Sequence, residues 1–207
     1  GQTATVDLVL GVGTDRAAAL GLVEKYQDRR LADRVFELAW THSQVVLRQL
    51  DASEADVQIY ARLANAILYA QPGLRAETSV LMANRRGQSG LWAYAISGDL
   101  PIVLLRVAGP GSIELVRQLI QAHGYWRLKG LAVDLVIWNE DRASYRHALQ
   151  ERIQGLVAMG VAVGLEPHTT ERPGGVFVRM VDQFPEEDRT LFMTVARVSR
   201  LTWSRVL

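Results

Sequence analysis

The chain has 207 residues, 49% of them hydrophobic and 22% charged, which suits one ordinary globular domain or two small ones with a sizeable core. Its 23 basic and 22 acidic residues leave a formal charge of +1, so there is no overall field to hold nucleic acid, and no nucleic-acid partner is expected. Cysteine is absent, which excludes disulfides, thiol nucleophiles and cysteine-ligated zinc and points to a reducing compartment.

Residues 3–12, T-A-T-V-D-L-V-L-G-V, alternate polar with apolar or β-branched side chains, the pattern of a strand. A single strand has nothing to pair with, so its partners are expected before Gly1 or at the edge of a later sheet. The absence of a start methionine and of a basic leader fits a segment cut from a longer protein. Thr14 or Asp15 can cap a helix carrying Ala17, Leu20, Leu22 and Val23 to about Tyr26. A second helix over 31–50 has Val35, Leu38, Trp40, Val45, Val46 and Leu50 as its apolar stripe. Ser53 with Asp56 opens a third, which Gln71-Pro72-Gly73 stops.

From Ile102 strands and helices alternate. Residues 102–107 and 131–138 are nearly continuous apolar runs, as in strands covered on both faces, and 176–181 is a less uniform third. The intervening 112–129 and 144–159 are long enough for helical crossovers, the first capped by Ser112 and the second striped by Tyr145, Leu149, Ile153, Leu156 and Val157. Pro185 followed by Glu186, Glu187 and Asp188 starts a last helix, with Leu191, Phe192, Val195 and Val198 facing inward. Residues 164–175 read as a surface loop. The expected fold is α/β: a small, mainly parallel three-layer sheet with a helical lead-in and one N-terminal strand. The expected division is 1–83 for strand and lead-in and 84–207 for the α/β module. No run reaches the roughly 18 apolar residues of a membrane span.

The densest recognition chemistry lies in 84–106, N-R-R-G-Q-S-G-L-W-A-Y-A-I-S-G-D-L-P-I-V-L-L-R. Arg85, Arg86 and Gln88 suit sugar hydroxyls or a carboxylate, Trp92 and Tyr94 offer faces to a sugar ring, and Asp99 adds an acceptor. The plainer reading packs the aromatics between helices and sheet and pairs Asp99 with an arginine, and it is the favoured one. Because ligands of open α/β sheets usually sit beyond the strands' carboxyl ends, a second candidate set is Arg106, Asn139, Glu140, Asp141 and Asp182. Capping explains most of these equally well. No phosphate-binding or dinucleotide glycine motif is present. His42, His123, His147 and His168 have no paired spacing, so no metal, cofactor or catalytic residue is assigned.

The 85–106 segment, I-E-L-V-R-Q-L-I-Q-A-H-G-Y-W-R-L-K-G-L-A-V-D-L-V-I and S-Y-R-H-A-L-Q together resemble the C-terminal half of cyclic β-1,2-glucan synthases, along nearly the whole chain. The opening T-V-D-L-V-L-G-V-G-T-D-R-A-A-A-L is similar to the end of a β-sandwich in that family. The resemblance implies an internal segment of the glycoside-phosphorylase-like part of a large inner-membrane glucosyltransferase, on the cytoplasmic side. Trp138-Asn139-Glu140-Asp141 is only faintly like the family's acid-bearing stretch and lacks its flanking Gly-Asp and Gly, so no acid role is carried over. V-A-G-P-G-S between Arg106 and Ile113 departs from the acidic residues expected there.

The expected function is a non-catalytic structural or glucan-contacting module that organises neighbouring domains of the parent chain. One alternative is a phosphorylase or hydrolase fragment with Asp99, Glu140 or Asp182 as acid. Another is a carbohydrate-binding module using Arg85, Trp92 and Tyr94.

Overall fold

A computed structural model describes residues 3, 4, 6, 8, 10–141, 146–164 and 173–199. The chain divides into two units, residues 1–46 and 47–207.

In the first unit the expected strand is not formed among the described residues. The described residues among 3–13 have no strand structure, and Val6, Leu8, Leu10 and Val12 are exposed. Alternation supplies a strand-compatible surface, but without a neighbour the backbone groups are left to water. Helix α1 (Arg16–Tyr26) is capped by Asp15, whose Oδ1 accepts from the Ala18 amide at 2.8 Å. Helix α2 (Arg29–Gln49) begins beside Asp28, which accepts from the Arg30 amide. Its stripe is largely uncovered: Val35, Leu38 and Trp40 are exposed, as is Phe36.

The second unit opens with helix α3 (Glu54–Tyr69), held by a reciprocal capping box between Ser53 and Asp56. Helix α4 (Thr78–Ala83) and a 3₁₀ segment (Gln88–Tyr94) lead into strand β1 (Ile102–Val107). Helix α5 (Ile113–Leu128), strand β2 (Asp134–Asn139), helix α6 (Arg146–Gly164), strand β3 (Val176–Met180), helix α7 (Glu186–Val195) and strand β4 (Ala196–Val198) follow. Ser112 makes no side-chain cap on α5, which is entered directly from a 3₁₀ turn at Pro110–Ser112. Ser144, Tyr145, His168 and residues 165–172 of the expected loop lie outside the described residues.

The four strands form one all-parallel sheet in the order β3-β2-β1-β4. Strand alternation sends Val103, Leu105, Val107, Leu135 and Ile137 into one core with α3, α5 and α6. The other face sends Ile102, Leu104, Val136 and Trp138 into a second core with Leu91, Phe184, Leu191 and Phe192. This is the expected three-layer arrangement. Helix α3 shares the first core through Tyr60, Leu63, Ala66 and Ile67, and the Trp126 indole on α5 donates to the Tyr60 carbonyl at 2.9 Å.

β4 is the strand that sequence reading placed inside the last helix. Ala196 pairs with Ile102 and Val198 with Val103, so Arg197 is the extra residue of a bulge. Ala196 consequently belongs to the second core and Val198 to the first, although two residues apart on a regular strand they would share a face.

The approach to β3 is set by backbone contact. Gly174 has φ +97°, and a β-carbon there would lie 2.6 Å from the Val133 carbonyl oxygen. Gly174→Ala is therefore expected to cost about 2 kcal/mol, combining the left-handed penalty with displacement of fixed backbone. Gly155→Ala on α6, where a β-carbon meets nothing within 4 Å, is expected to gain about 0.5–1 kcal/mol. Urea unfolding of both variants checks the contrast.

Candidate functional site

Asn84 fixes the start of the 84–106 segment by bonding both the amide and the carbonyl of Arg86. The segment then crosses the second face of the sheet. Arg86 reaches α7, donating to Glu187 at 3.1 Å through Nε and to Asp188 at 2.7 Å through Nη1. The bond to Glu187, then the Asp188 charge, raises the guanidinium pKa further. Tyr94 turns inward: its ring stacks on Phe184 at 4.2 Å and meets Phe192 edge-on, while its hydroxyl donates to Asp188 at 2.7 Å. Burial first, and that bond second, push the phenol up to about 12. Asp188 is itself buried, so it joins the segment to the first turn of α7.

Trp92 does the opposite. It is 64% exposed and its indole N–H donates to the Ser97 carbonyl. Arg85 is also exposed and donates to the Met82 carbonyl. The packing reading of the aromatics thus holds for Tyr94 and not for Trp92. Gln88 donates to both the Ser97 carbonyl and Asp99 Oδ1. The expected arginine partner of Asp99 is not found: among the described residues Asp99 bonds Gln88 and forms no ion pair.

Three of the candidates come together. Arg86, Gln88 and Asp99 line a cleft of about 430 Å³ whose walls include Leu91, Pro101, Ile102, Leu191 and Val195. Arg197 completes the polar lining. Arg85, Trp92 and Tyr94 do not line it. The cleft opens at the amino ends of β1 and β4, opposite to the strand ends where the second candidate set was expected.

At the carboxyl ends, Arg106 donates to Glu140 at 2.7 Å. The Glu140 amide is bonded to the Val107 carbonyl, and Asn139 accepts from the Asp141 amide while donating to Gln150. Asp182 sits in the 3₁₀ turn after β3. Arg106, Asn139, Glu140 and Asp141 are thereby brought together as a bonded set that continues the β1–β2 ladder. Among the described residues no group of His, Asp and Glu is placed to hold a metal ion, and no helix is long and apolar enough to cross a membrane.

Along 160 residues, 75% of its length, the chain is 31% identical to the cyclic β-(1,2)-glucan synthase NdvB of Rhizobium meliloti (strain 1021). The chain is related to that synthase. The likeness covers 6% of the synthase, which is therefore a much longer protein. No family model matches the chain. The synthase resemblance read from 85–106 and from the α5–β2 region is thus borne out by comparison. Arg197 is the cleft residue that sequence reading missed in this synthase-like chain, because residues 195 and 198 imitate helical spacing and hide the three-residue strand between them.

Proposed function

We propose that this chain is a non-catalytic module of a larger, membrane-bound cyclic β-1,2-glucan synthase, in which it contacts neighbouring domains of the parent chain and the glucan. The observation that carries this reading is the match to a small share of one long synthase of that activity. The uncovered apolar side chains of α2, Phe36, Leu38 and Trp40, fit a surface covered by another part of such a parent. Asp99 and Glu140, two of the three carboxylates weighed as acids, are tied to Gln88 and Arg106. In this reading the module lies within the phosphorylase-like part, on the cytoplasmic side of the inner membrane, and the polymerising chemistry lies elsewhere in the parent.

The chain incubated with β-1,2-glucan, with and without phosphate, is expected to release neither glucose 1-phosphate nor new reducing ends. Turnover that disappears in Asp99→Asn, Glu140→Gln or Asp182→Asn would replace this reading with that of a phosphorylase or hydrolase fragment.

A further inference from the structure

We propose that the cleft at the amino ends of β1 and β4 is a saccharide site that takes an uncharged stretch of β-1,2-linked glucan, with Gln88, Asp99 and Arg197 as its hydrogen-bonding groups. This rests on the module reading above and gives it a location.

Three observations converge on the cleft. The first is its make-up: an open concavity of about 430 Å³ whose lining mixes polar and apolar groups, as a hydroxyl-rich ligand needs. Half-buried Pro101 and Val195 have hydrocarbon left to meet the C–H faces of a pyranose, backed by the buried Leu91, Ile102 and Leu191. The second is the bulge in β4. A regular strand places residue 197 opposite in facing to both neighbours, but here Ala196 and Val198 are committed to different cores and Arg197 is exposed at the cleft. Edge bulges re-aim a side chain in this way, commonly beside functional sites.

The third is the state of the polar groups. Gln88 spends its Nε2 on Ser97 and Asp99, which leaves its Oε1 as an acceptor. Among the described residues Asp99 Oδ1 is used and its second oxygen is not. The Arg197 guanidinium makes no bond among the described residues. Donors and acceptors therefore face the same space, which suits hydroxyls, since each hydroxyl both donates and accepts.

Charge distinguishes this ligand from an anion. Arg86 is already held by Glu187 and Asp188, so the cation left to the cleft is Arg197, and Asp99 stands in the same lining. Phosphate would meet no net positive field there. Gly98, at φ +78°, keeps the wall in place: a β-carbon would come within 2.9 Å of Gln88 Cγ and 2.8 Å of Leu91.

The test is an amide chemical-shift titration of the intact chain with β-1,2-linked glucose oligomers, repeated on Arg197→Ala, Asp99→Asn and Trp92→Ala, with inorganic phosphate and β-1,4-linked oligomers as separate arms. Saturable shifts at 86–101 and around 197 are expected. Arg197→Ala and Asp99→Asn are expected to weaken binding about tenfold, and Trp92→Ala less than about twofold. Arg197 is exposed and makes no bond among the described residues, so its variant is expected to stay folded, which its thermal midpoint checks. Saturable glucan binding that survives both cleft substitutions would overturn the cleft and leave a glucan-contacting module intact. No saturation by the folded wild type up to about 10 mM would overturn the cleft and glucan contact together, leaving the domain-organising part of the reading to stand. Saturable phosphate binding lost in Arg197→Ala would overturn the choice of an uncharged ligand.

Discussion

Asp188→Ala is expected to lower the stability of the sheet-bearing unit by about 3 kcal/mol, read by urea unfolding. The buried carboxylate takes 2.7 Å bonds from both Arg86 and the Tyr94 hydroxyl, and it stands in the first turn of α7, where negative charge complements the helix. Truncation orphans the Tyr94 hydroxyl beside Phe184 and Phe192 and frees Arg86 from its better partner. The remaining Arg86–Glu187 pair is solvent-exposed and does little to replace that loss. Tyr94→Phe, which removes one bond and keeps the ring, should cost about 1 kcal/mol. Equal losses from the two variants, or a loss under about 1 kcal/mol from Asp188→Ala, would show that Asp188 does not anchor the 84–101 segment.

A second effect of about 3 kcal/mol is expected from pH alone and traces to His123. Its ring is buried on α5, and its Nε2–H donates to the Val133 carbonyl at 2.9 Å. Desolvation is the main reason that its pKa falls from 6.5 to about 4, with Arg127 adding to the shift and the Val133 bond opposing it. A histidine depressed in the folded state binds its proton more readily unfolded. Its contribution is thus intact above pH 6.5, is lost progressively as pH falls, and levels off below about 4. Asp134 acts in the opposite sense: burial raises its pKa above 3.8, so at the acid end it favours the folded state. The difference between wild type and His123→Gln isolates the histidine. Unfolding free energies at pH 7, 5.5 and 4.5 should fall steeply for the wild type and much less for the variant; parallel curves would sink the assignment.

The two central strands were legible because a strand covered on both faces needs apolar residues at consecutive positions, as 102–105 and 135–138 have. Helix starts were legible where the cap is chemical: Asp15, Ser53 with Asp56, and the acidic turn after Pro185. β4 was not, since three residues cannot display a period, and the pairing that makes them a strand comes from Ile102 and Val103, over ninety residues away. The 3–12 stretch differs the other way, carrying the right alternation while its described residues form no strand. Of the site, Arg86, Gln88 and Asp99 could be named from local chemistry. Their separation from Trp92 and Tyr94 follows from how a tight 3₁₀ segment distributes side chains, which a list of residue types does not contain. Among the described residues Arg106 is bonded to Glu140 and Asn139 to Asp141 at the carboxyl ends, whereas Arg197 at the amino ends makes no bond, and that difference supports the proposed cleft.

Because a single layer of strands separates two cores, the sides are open to separate revision. One is walled by three helices of sixteen to nineteen residues. The other is closed by a ten-residue helix and a seven-residue 3₁₀ stretch clasped together at one carboxylate. Substitutions in that clasped stretch can reshape the cleft wall while the helical side keeps the strands in register. The same sheet can thereby serve as a chassis whose shorter covering is exchanged to suit whatever lies beside it.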